Sequence, residues 1–422
     1  MITSPAFSGN RYGVFGLARS GRATAAALAA SDADVLAWDD AQAARNAHTG
    51  PLVDLHTADL AGLTAMIVSP GVPQSAPIFA RARDAGVPVI GDTELFAQAR
   101  PVMPPHRVIG ITGTNGKSTT TALVHHILVH SGRSASMGGN IGLPIMAQDP
   151  LPAGGIWVLE LSSYQLDITR TLACEVAVLL NITPDHLERH GTMAAYAAAK
   201  QRLFAMQAAA GTAITDRASA LSWAMPGGPA QTVIISDEVA LSGQASWPAL
   251  QGPHNLANAR AAVAAVRALG LAEDEIAAGL ASYPGLPHRM ERIATKAGVL
   301  YVNDSKATNP DSTAPALAAF AGTHWIAGGK AKGEELDALD PYLGQVRAAY
   351  LIGEAAPLFG RLLAGRLPVH QCGTLDRALA MASATARPGE TVLFSPACAS
   401  FDQFRDFEAR GDAFRHLVEA LA

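Results

Sequence analysis

Short apolar runs alternate along the chain with longer, alanine-rich stretches in which apolar residues recur at helical spacing. The first run, RYGVFGLARSG, leads into a glycine-rich turn and is followed by the helical stretch ATAAALAA. Alternation of strands and helices in this way is typical of parallel sheets that are covered by helices. The pattern therefore predicts an α/β protein built on parallel sheets.

Two proline-rich stretches divide this alternation into three series of strands and helices. The stretches are QARPVMPPHR and SYPGLPHR, and such segments are typical of linkers. We therefore predict three domains, over residues 1–98, 99–286 and 287–422. The length agrees with this division, because 422 residues correspond to about three domains of roughly 150 residues each.

Composition narrows the class of protein. Lys and Arg total 31 and Asp and Glu total 36, which gives a formal net charge of −5. Nucleic-acid binding requires a basic excess, so we expect no nucleic-acid partner. The 3 scattered cysteines predict neither a disulfide framework nor a cysteine metal site. The first residues lack a signal-peptide pattern and no apolar run approaches the ~18 residues of a membrane span, so we expect a cytoplasmic protein.

The strongest local signal is a glycine-rich segment at the start of the second series. Gly110-Ile-Thr-Gly-Thr-Asn-Gly-Lys-Ser118 lies between a predicted strand and a predicted helix. Glycines let backbone N–H groups point at a phosphate, and a helix N-terminus opposes its charge. The loop is one residue longer than the usual spacing, but its context predicts an ATP site with Lys117 on the terminal phosphates and Ser118 on Mg²⁺. The residues expected around the phosphates are Gly113, Thr114, Asn115, Gly116, Lys117, Ser118 and Thr119.

Two further side chains follow predicted strands of the same series. Glu160 lies in IWVLEL, and His186 comes just after EVAVLLNI. Parallel strands end on the same sheet edge as the phosphate loop, so both side chains are expected beside the γ-phosphate, where they suit Mg²⁺. Lys200 lies in the helical stretch YAAAKQRLF. A surface position and a buried, nucleophilic lysine both stay open for it.

The first series carries a weaker nucleotide signal. Gly13, Gly16 and Gly21 miss the G-x-G-x-x-G pattern, although their loop also joins a strand to a helix. Asp39 ends the next strand, about 20 residues on, where an acid can bind a ribose hydroxyl. A turn without a ligand and a site for a nucleotide sugar both stay open for this loop.

Three polar loops follow strands of the third series. They are NDSKATN at 303–309, GGKAKG at 328–333 and SPACASFDQF at 395–404. Each is compatible with a simple helix cap. Their common position at one sheet edge, with lysines in two of them, favours a pocket for a small substrate that bears a carboxylate.

The motifs, taken in order, resemble those of the Mur ligase family, the ATP-dependent amide-forming ligases of peptidoglycan precursor synthesis. The resemblance covers essentially the whole chain, through GITGTNGKST, ELSSYQL, NITPDHLERH, YAAAK, GPHNLANA, LPHRME, NDSKATNP and SPACASFDQF. It implies a Rossmann-like first domain for a UDP-sugar, a central P-loop ATPase domain and a Rossmann-like third domain for an amino acid. Within the family, SPACASFDQF is typical of the member that adds D-glutamate to UDP-N-acetylmuramoyl-L-alanine. A monomer that uses ATP and two Mg²⁺ ions, and forms an acyl-phosphate intermediate, is implied.

The resemblance also implies a role for individual positions. The catalytic residues would be Lys117, Glu160, His186 and Lys200. The metal ligands would be Ser118, Glu160, His186 and Lys200, the last as a carbamate. Further ATP contacts would come from Asn258, Arg289, Asp304 and Lys306. The UDP-sugar and the amino acid would be held by Ser20, Asp39, Asn140, Thr308, Lys332, Ser400 and Phe407.

Two positions depart from the family pattern. Ala18 stands where a glycine is common, and Ala41 stands where a basic residue often helps to hold the uracil nucleotide. The alternatives are another ligase of this family, including an L-glutamate-adding variant or an enzyme like folylpolyglutamate synthase, and a nucleotide-binding relative without turnover. A nicotinamide dehydrogenase is disfavoured because G-x-G-x-x-G is missing.

Overall fold

The structure is a computed structural model that describes residues 1–217, 219, 231–235 and 239–421. This part of the chain contains three sheets and forms two compact units. The first unit comprises Met1–Ser242 and Ala257–Ala281, and the second comprises Gly243–Leu256 and Ser282–Ala422. Among the described helices, none combines the length and apolar character that crossing a membrane requires.

The first sheet has four parallel strands in the order β2-β1-β3-β4. The strands are β1 (Arg11–Phe15), β2 (Asp34–Trp38), β3 (Ala65–Val68) and β4 (Val89–Ile90). The helices are α1 (Arg19–Ala29), α2 (Gln42–Asn46), α3 (Pro77–Asp84) and α4 (Asp92–Ala99). All four residues of β3 are buried, as expected for a central strand that is covered on both faces.

The second sheet has six parallel strands in the order β10-β9-β8-β5-β7-β6. The strands are β5 (His106–Thr112), β6 (Ala135–Gly139), β7 (Gly155–Glu160), β8 (Val176–Leu179), β9 (Thr212–Thr215) and β10 (Gln231–Ile234). The helices are α5 (Lys117–His130), α6 (Ser163–Asp167), α7 (Leu187–His190), α8 (Met193–Ala205), α9 (Pro253–Ala268) and α10 (Glu273–Ser282). Because β5 lies between β7 and β8, the segments after these three strands are neighbours.

One apolar core is shared by the first two sheets. Tyr12 and Val14 of β1 belong to the same buried cluster as Trp157 and Leu159 of β7. Ile2, which is fully buried, adds a backbone hydrogen bond of 3.2 Å to Met146. The first two sheets therefore form one packed unit, and the domain bounds at 98/99 and 286/287 stay a prediction.

The third sheet has six strands in the order β11-β12-β16-β13-β14-β15. The strands are β11 (Glu291–Lys296), β12 (Val299–Asn303), β13 (Thr323–Gly328), β14 (Val346–Ile352), β15 (Val369–Gly373) and β16 (Thr391–Phe394). The helices are α11 (Pro310–Ala319), α12 (Ala356–Leu362), α13 (Leu375–Thr385) and α14 (Phe407–Glu419). Short 3₁₀ turns elsewhere in the chain cover Pro5–Phe7, Arg100–Val102, Ile145–Ala147, Gln244–Ser246 and Asp337–Gln345.

The edge strand β11 departs from the parallel pattern that the sequence predicts. It pairs antiparallel with β12, whereas the other pairs of this sheet are parallel. Only Ala297 and Gly298 connect β11 to β12, with φ of 49° and 77°. Two successive positive φ values are what a tight two-residue hairpin requires. The polar loops that follow β12, β16 and β13 still meet at one sheet edge, because these three strands are parallel neighbours.

Candidate active site

The phosphate loop passes from β5 into α5, as the sequence predicts. Gly116 caps α5 with φ of 84°, a left-handed conformation that favours glycine. A Cβ atom at Gly116 would lie 2.2 Å from Oδ1 of Asn258, so the expected ATP contact Asn258 does lie beside the loop. Ser118 and Thr119 lie in the first turn of α5. The backbone N–H groups in the first turn of a helix have no acceptor within the helix and can therefore bind a phosphate group.

The far side of the loop is anchored to the segment that follows β8. The backbone N–H of Thr114 donates to the carbonyl oxygen of Asn181 at 2.9 Å. The N–H of Asn115 donates to the side-chain oxygen of the same asparagine, also at 2.9 Å. The hydroxyls of Thr114 and Tyr196 are 3.1 Å apart. These contacts fix the shape of the loop before any ligand binds.

Two lysines converge on this loop. Lys117 donates to the carbonyl oxygens of Gly113 at 3.0 Å and Thr114 at 2.8 Å. Lys200, on α8, donates to the same Gly113 oxygen at 2.7 Å and is only 1% exposed. Burial, reinforced by the charge of Lys117, lowers the pKa of Lys200 to about 7. The structure thus places Lys200 in the interior, where a substantial neutral fraction makes its amine a nucleophile at neutral pH.

Glu160 is the last residue of β7 and is 2% exposed. Its Oε1 accepts a 2.8 Å hydrogen bond from the side chain of Asn140, while its Oε2 is buried and has no hydrogen-bond partner among the described residues. Gly139 allows this arrangement, because a Cβ there would lie 2.2 Å from the Glu160 carbonyl oxygen. A buried carboxylate oxygen without a partner is costly. Glu160 therefore fits a role as a cation ligand.

His186 precedes α7 with φ of 54°, which is unusual for a residue with a side chain. Its Nδ1 is 2.8 Å from the hydroxyl of Tyr164, and its Nε2 is 3.5 Å from the carboxylate of Asp185. The guanidinium of Arg189 covers the Tyr164 ring at 3.8 Å. The imidazole is therefore oriented by its neighbours, as is common for a metal-ligating histidine.

A cavity of about 270 Å³ joins most of these side chains. It is lined by Pro70, Gly71, Lys117, Asn140, Ser162, Ser163, Tyr164, His186, Tyr196 and Lys200. The described residues contain no group of three His, Cys, Asp or Glu side chains that could hold a metal ion. A magnesium ion here would need further oxygen ligands, which the hydroxyl of Ser118, a carbamate on Lys200 and the phosphates of a nucleotide can supply.

The first sheet carries the two residues expected to contact the UDP-sugar. Ser20 lies in the first turn of α1 and is half-buried. Asp39 follows β2, and its two carboxylate oxygens accept backbone N–H groups from Leu17 at 2.6 Å and Ala41 at 2.8 Å. Asp39 therefore ties the first glycine-rich loop to the segment after β2.

A basic residue that the sequence analysis did not single out lies close to Asp39. The guanidinium of Arg45 donates to the carbonyl oxygen of Asp40 at 2.9 Å and lies 4.6 Å from the Trp38 ring centroid. The chain thus has a cation near the loop although position 41 is alanine. Arg45 comes four positions after Ala41, and this basic residue was the feature of the sequence that could have indicated the cation.

The other expected ATP contacts lie in the second unit. Asp304 follows β12, is 6% exposed, and accepts from Ser395 Oγ at 2.7 Å and from the N–H of Met290 at 3.1 Å. Burial raises the pKa of Asp304 to about 7. Arg289 stands between His288 and Met290, whose φ values are 61° and 48°. Positive φ values strain the backbone of residues that carry a side chain, and such strain is typical of functional segments.

The residues expected to surround the amino acid lie on the polar loops of the same unit. The ammonium group of Lys332 is 3.4 Å from the hydroxyl of Thr308. The ammonium group of Lys306 lies 3.8 Å from the ring centroid of Phe407. Ser400 follows β16 and is buried. A cavity of about 510 Å³ includes Lys332 in its wall, while Thr308, Ser400 and Phe407 are not among its lining residues.

The sequence did not indicate roles for Tyr164 and Arg410, because both residues make their contacts with segments that are distant in the chain. Tyr164 lies in α6, whose start is marked by a capping box between Ser162 and Gln165, but its contact with His186 crosses to another segment. Arg410 occupies the buried face of α14 together with Phe414. A basic residue on an apolar helical stripe was a usable signal.

Comparison with known families matches two parts of the chain. Residues 111–225 match the family described as Mur ligase middle domain. Residues 288–398 match the family described as Mur ligase, glutamate ligase domain. Together these matches cover the end of β5 and strands β6 to β9 of the second sheet, and strands β11 to β16 of the third sheet.

Two curated relatives align with the entire chain. A protein of Novosphingobium aromaticivorans named UDP-N-acetylmuramoylalanine–D-glutamate ligase is 56% identical over 429 residues, which is 100% of this chain and 97% of the relative. A Zymomonas mobilis protein of the same name is 51% identical and is covered, like this chain, over 100% of its length.

A solved structure supports the fold. UDP-N-acetylmuramate–alanine ligase MurC of Thermotoga maritima superposes with a TM-score of 0.60 at 16% identity, over 97% of this chain and 99% of that chain. At this identity the similarity concerns the architecture alone. The α/β fold with several mainly parallel sheets that the sequence predicts is confirmed.

Proposed function

Because the chain belongs to the Mur ligase family of ATP-dependent amide-forming ligases, we propose that it joins D-glutamate to UDP-N-acetylmuramoyl-L-alanine in peptidoglycan precursor synthesis. The relatives that match over full length carry this activity in their names. The observation that carries the proposal is the convergence of Lys117, His186 and Lys200 on one cavity beside a phosphate loop. Such a site suits phosphoryl transfer to a carboxylate.

The first chemical problem is that the substrate carboxylate and the γ-phosphate repel each other. Lys117, at the start of α5, would neutralise phosphate charge, and the backbone of the loop would bind the remaining phosphate oxygens. A carboxylate oxygen then attacks the γ-phosphorus, the bond to the bridging oxygen of ADP breaks, and an acyl phosphate forms. Asn140 and His186 line the same cavity and would orient the carboxylate.

The proposal includes two magnesium ions, whose ligands would come from protein side chains and from phosphate oxygens. Ser118 and Glu160 would hold one ion, and His186 and a carbamylated Lys200 would hold the other. When bound, the ions neutralise the negative charge that accumulates on the phosphates and the carboxylate. The lowered pKa of Lys200 favours the neutral amine, which is the form that adds to CO₂. The carbamate converts a buried cation into an anionic oxygen ligand.

The second step is the attack of the amino group of glutamate on the carbonyl carbon of the acyl phosphate. The amine loses a proton, the tetrahedral intermediate collapses, and inorganic phosphate leaves. Thr308, Lys332, Ser400 and Phe407 would hold the amino acid, since two carboxylates call for hydroxyl and ammonium partners. Arg289, Asp304 and Lys306 would contact ATP, and Ser20 and Asp39 would contact the UDP-sugar.

We place the reaction in the cytoplasm, where ATP is available, and assign it to a single chain. The location follows from the ATP requirement of the proposed reaction, and the single-chain assignment follows from the full set of expected site residues within one polypeptide. The three-domain division at 98/99 and 286/287 is part of the same proposal, with one domain for each substrate.

The test is phosphate release from ATP by purified protein supplied with Mg²⁺ and UDP-N-acetylmuramoyl-L-alanine. Turnover that requires D-glutamate, and is at least ~10²-fold slower with L-glutamate, is expected. A panel of L-alanine, diaminopimelate and L-lysine tests the other amino-acid-adding activities, and a folate substrate tests the folylpolyglutamate alternative. Absence of phosphate release and of a new amide product with every amino acid would support a non-catalytic relative instead.

A further inference from the structure

The second unit holds a buried guanidinium beneath its polar loops. Arg410 lies on α14 and is 1% exposed. Its Nε donates to the hydroxyl of Ser305 at 3.1 Å, and its Nη2 donates to the carbonyl oxygen of the same serine at 2.8 Å. It also donates to the carbonyl oxygens of Cys398 at 3.0 Å and Ala399 at 3.2 Å. One side chain therefore joins the loop after β12 to the loop after β16.

The loop after β13 approaches the same group. Gly329 has φ of 130°, and a Cβ atom there would lie 3.0 Å from Nη1 of Arg410. The backbone of Lys330 exchanges two hydrogen bonds of 2.9 Å with that of Ala399. All three polar loops of this sheet edge are therefore packed around Arg410 or its direct partners.

The contacts of Arg410 lead to residues that the proposed function assigns to substrates. The Ser305 hydroxyl accepts from Arg410 and donates to the carbonyl oxygen of Phe407 at 2.8 Å. Lys306, the next residue in the chain, lies over the Phe407 ring. Ala399 immediately precedes Ser400. Movement of the guanidinium would displace the backbone next to each of these side chains.

Among the described residues, no carboxylate forms a hydrogen bond with Arg410. Its hydrogen bonds within the described part of the chain go to carbonyl and hydroxyl oxygens. Burial lowers the pKa of Arg410 to about 10, and nearby Cys398 and Asp402 act in the opposite direction, so the group stays charged at neutral pH. A buried cation without an ion-pair partner is costly to retain. The guanidinium of Arg410 contributes a positive potential beneath the loops that follow β12, β13 and β16, and this potential favours an anionic ligand.

We propose that Arg410 is a positioning residue for the amino-acid substrate, holding Ser400 and Phe407 in place at a positively charged site for a dicarboxylic amino acid. The inference rests on the proposed D-glutamate ligase activity. Arg410 does not itself touch the substrate; it acts through Ser305, Cys398 and Ala399. The guanidinium is suited to this role because its rigid fork bonds several oxygens at once, which an ammonium group cannot reproduce.

The test compares Arg410→Lys and Arg410→Gln with the unchanged protein in the phosphate-release assay. Both variants are expected to raise the KM for D-glutamate at least ~10-fold, because the loops lose their common anchor. The KM for UDP-N-acetylmuramoyl-L-alanine should stay within about twofold, because its expected contacts lie in the first unit. Arg366→Gln is the matched control: it removes an arginine of the same unit that is paired with Asp340, and should leave both KM values unchanged.

The proposal is overturned if the KM for D-glutamate is unchanged in both folded Arg410 variants. It is also overturned if the Arg410→Lys variant has the same KM for D-glutamate as the unchanged protein. A merely structural role would lower the thermal midpoint and the active fraction without changing the KM for one substrate. If the Arg410 variants do not fold, Ser305→Ala decides, since it removes the hydroxyl that links Arg410 to Phe407. A raised D-glutamate KM then supports the proposal and an unchanged one rejects it. Failure of the unchanged protein to use D-glutamate would instead reject the proposed function.

Discussion

Lys200 donates a hydrogen bond of 2.7 Å from its ammonium group to the carbonyl oxygen of Gly113, inside the phosphate loop. Lys117 donates to the same oxygen at 3.0 Å, so the two ammonium groups lie close together. Two like charges near one carbonyl disfavour each other, and this repulsion adds to the burial of Lys200. The arrangement favours the neutral amine of Lys200, which is the form that accepts CO₂.

Replacing Lys200 by alanine should remove nearly all ligase activity, because an anionic metal ligand can no longer form. Acetate or formate should restore part of the rate, since a small carboxylate can occupy the space of the missing carbamate. The measurement is phosphate release at increasing anion concentration. Lys117→Ala serves as the control, and the same anions should not activate it. Full activity of Lys200→Ala without any added anion would rule out a bridging carbamate.

Replacing Lys117 by alanine should lower kcat/KM by at least ~10²-fold, the typical effect of losing one preorganised charge donor. Steady-state kinetics with all three substrates measure the loss. Lys296→Ala, which removes a lysine that donates to the carbonyl oxygen of Glu419, should behave like the unchanged protein. A Lys117 variant within a few-fold of the unchanged rate would exclude this residue from the mechanism.

Replacing Tyr164 by phenylalanine removes the hydroxyl 2.8 Å from His186 Nδ1 and leaves the ring in place. The imidazole loses the partner that orients it, so Mn²⁺ used as a probe should bind about tenfold more weakly in the presence of ADP. Electron paramagnetic resonance titration gives the affinity directly. Tyr12→Phe, in the buried core of the first sheet, is the matched control. Equal Mn²⁺ affinity in the Tyr164 variant and the unchanged protein would contradict the orienting role.

The raised pKa of Asp304 predicts that nucleotide binding depends on pH. Burial raises its pKa from an ordinary value of 3.8 to about 7, so the carboxylate is mostly ionised at pH 8 and mostly protonated at pH 6. Only the ionised form accepts hydrogen bonds through both oxygens. The Kd for ATP, measured by calorimetry, should therefore rise several-fold from pH 8 to pH 6. Asp304→Asn removes this titration, so the same change of pH should have a smaller effect. An identical pH response in both proteins would remove Asp304 from the nucleotide site.

Local features of the sequence predicted the strand–loop–helix unit of the phosphate site. β5 ends at Thr112 and α5 begins at Lys117, as the glycines and the following helical stretch indicate. The positions of Glu160 and His186 were also predictable, because parallel strands must end on a common edge. The first inference rests on near neighbours in the chain, and the second also assumes that distant strands pair in parallel, as β5 does with β7 and β8.

Other features depended on such distant contacts. The antiparallel strand β11 was not predicted, because a hairpin of two residues, Ala297 and Gly298, leaves only a weak signal in the sequence. The common core of the first two sheets was not predicted either, since apolar strands look alike whether they pack within one domain or between two.

Spacing of apolar and polar residues, glycine placement and motif order were enough to indicate the α/β architecture, the family and the phosphate loop, because these patterns are visible along the chain without knowledge of which distant residues meet. Which polar groups lose contact with water was decided by folding. Lys200 and Arg410 are both 1% exposed, and each lies within a helix whose sequence does not by itself give the residue's partners. Their chemistry comes from burial and from partners more than eighty residues away in sequence for Lys200, and more than a hundred for Arg410 through Ser305, and only packing creates those surroundings.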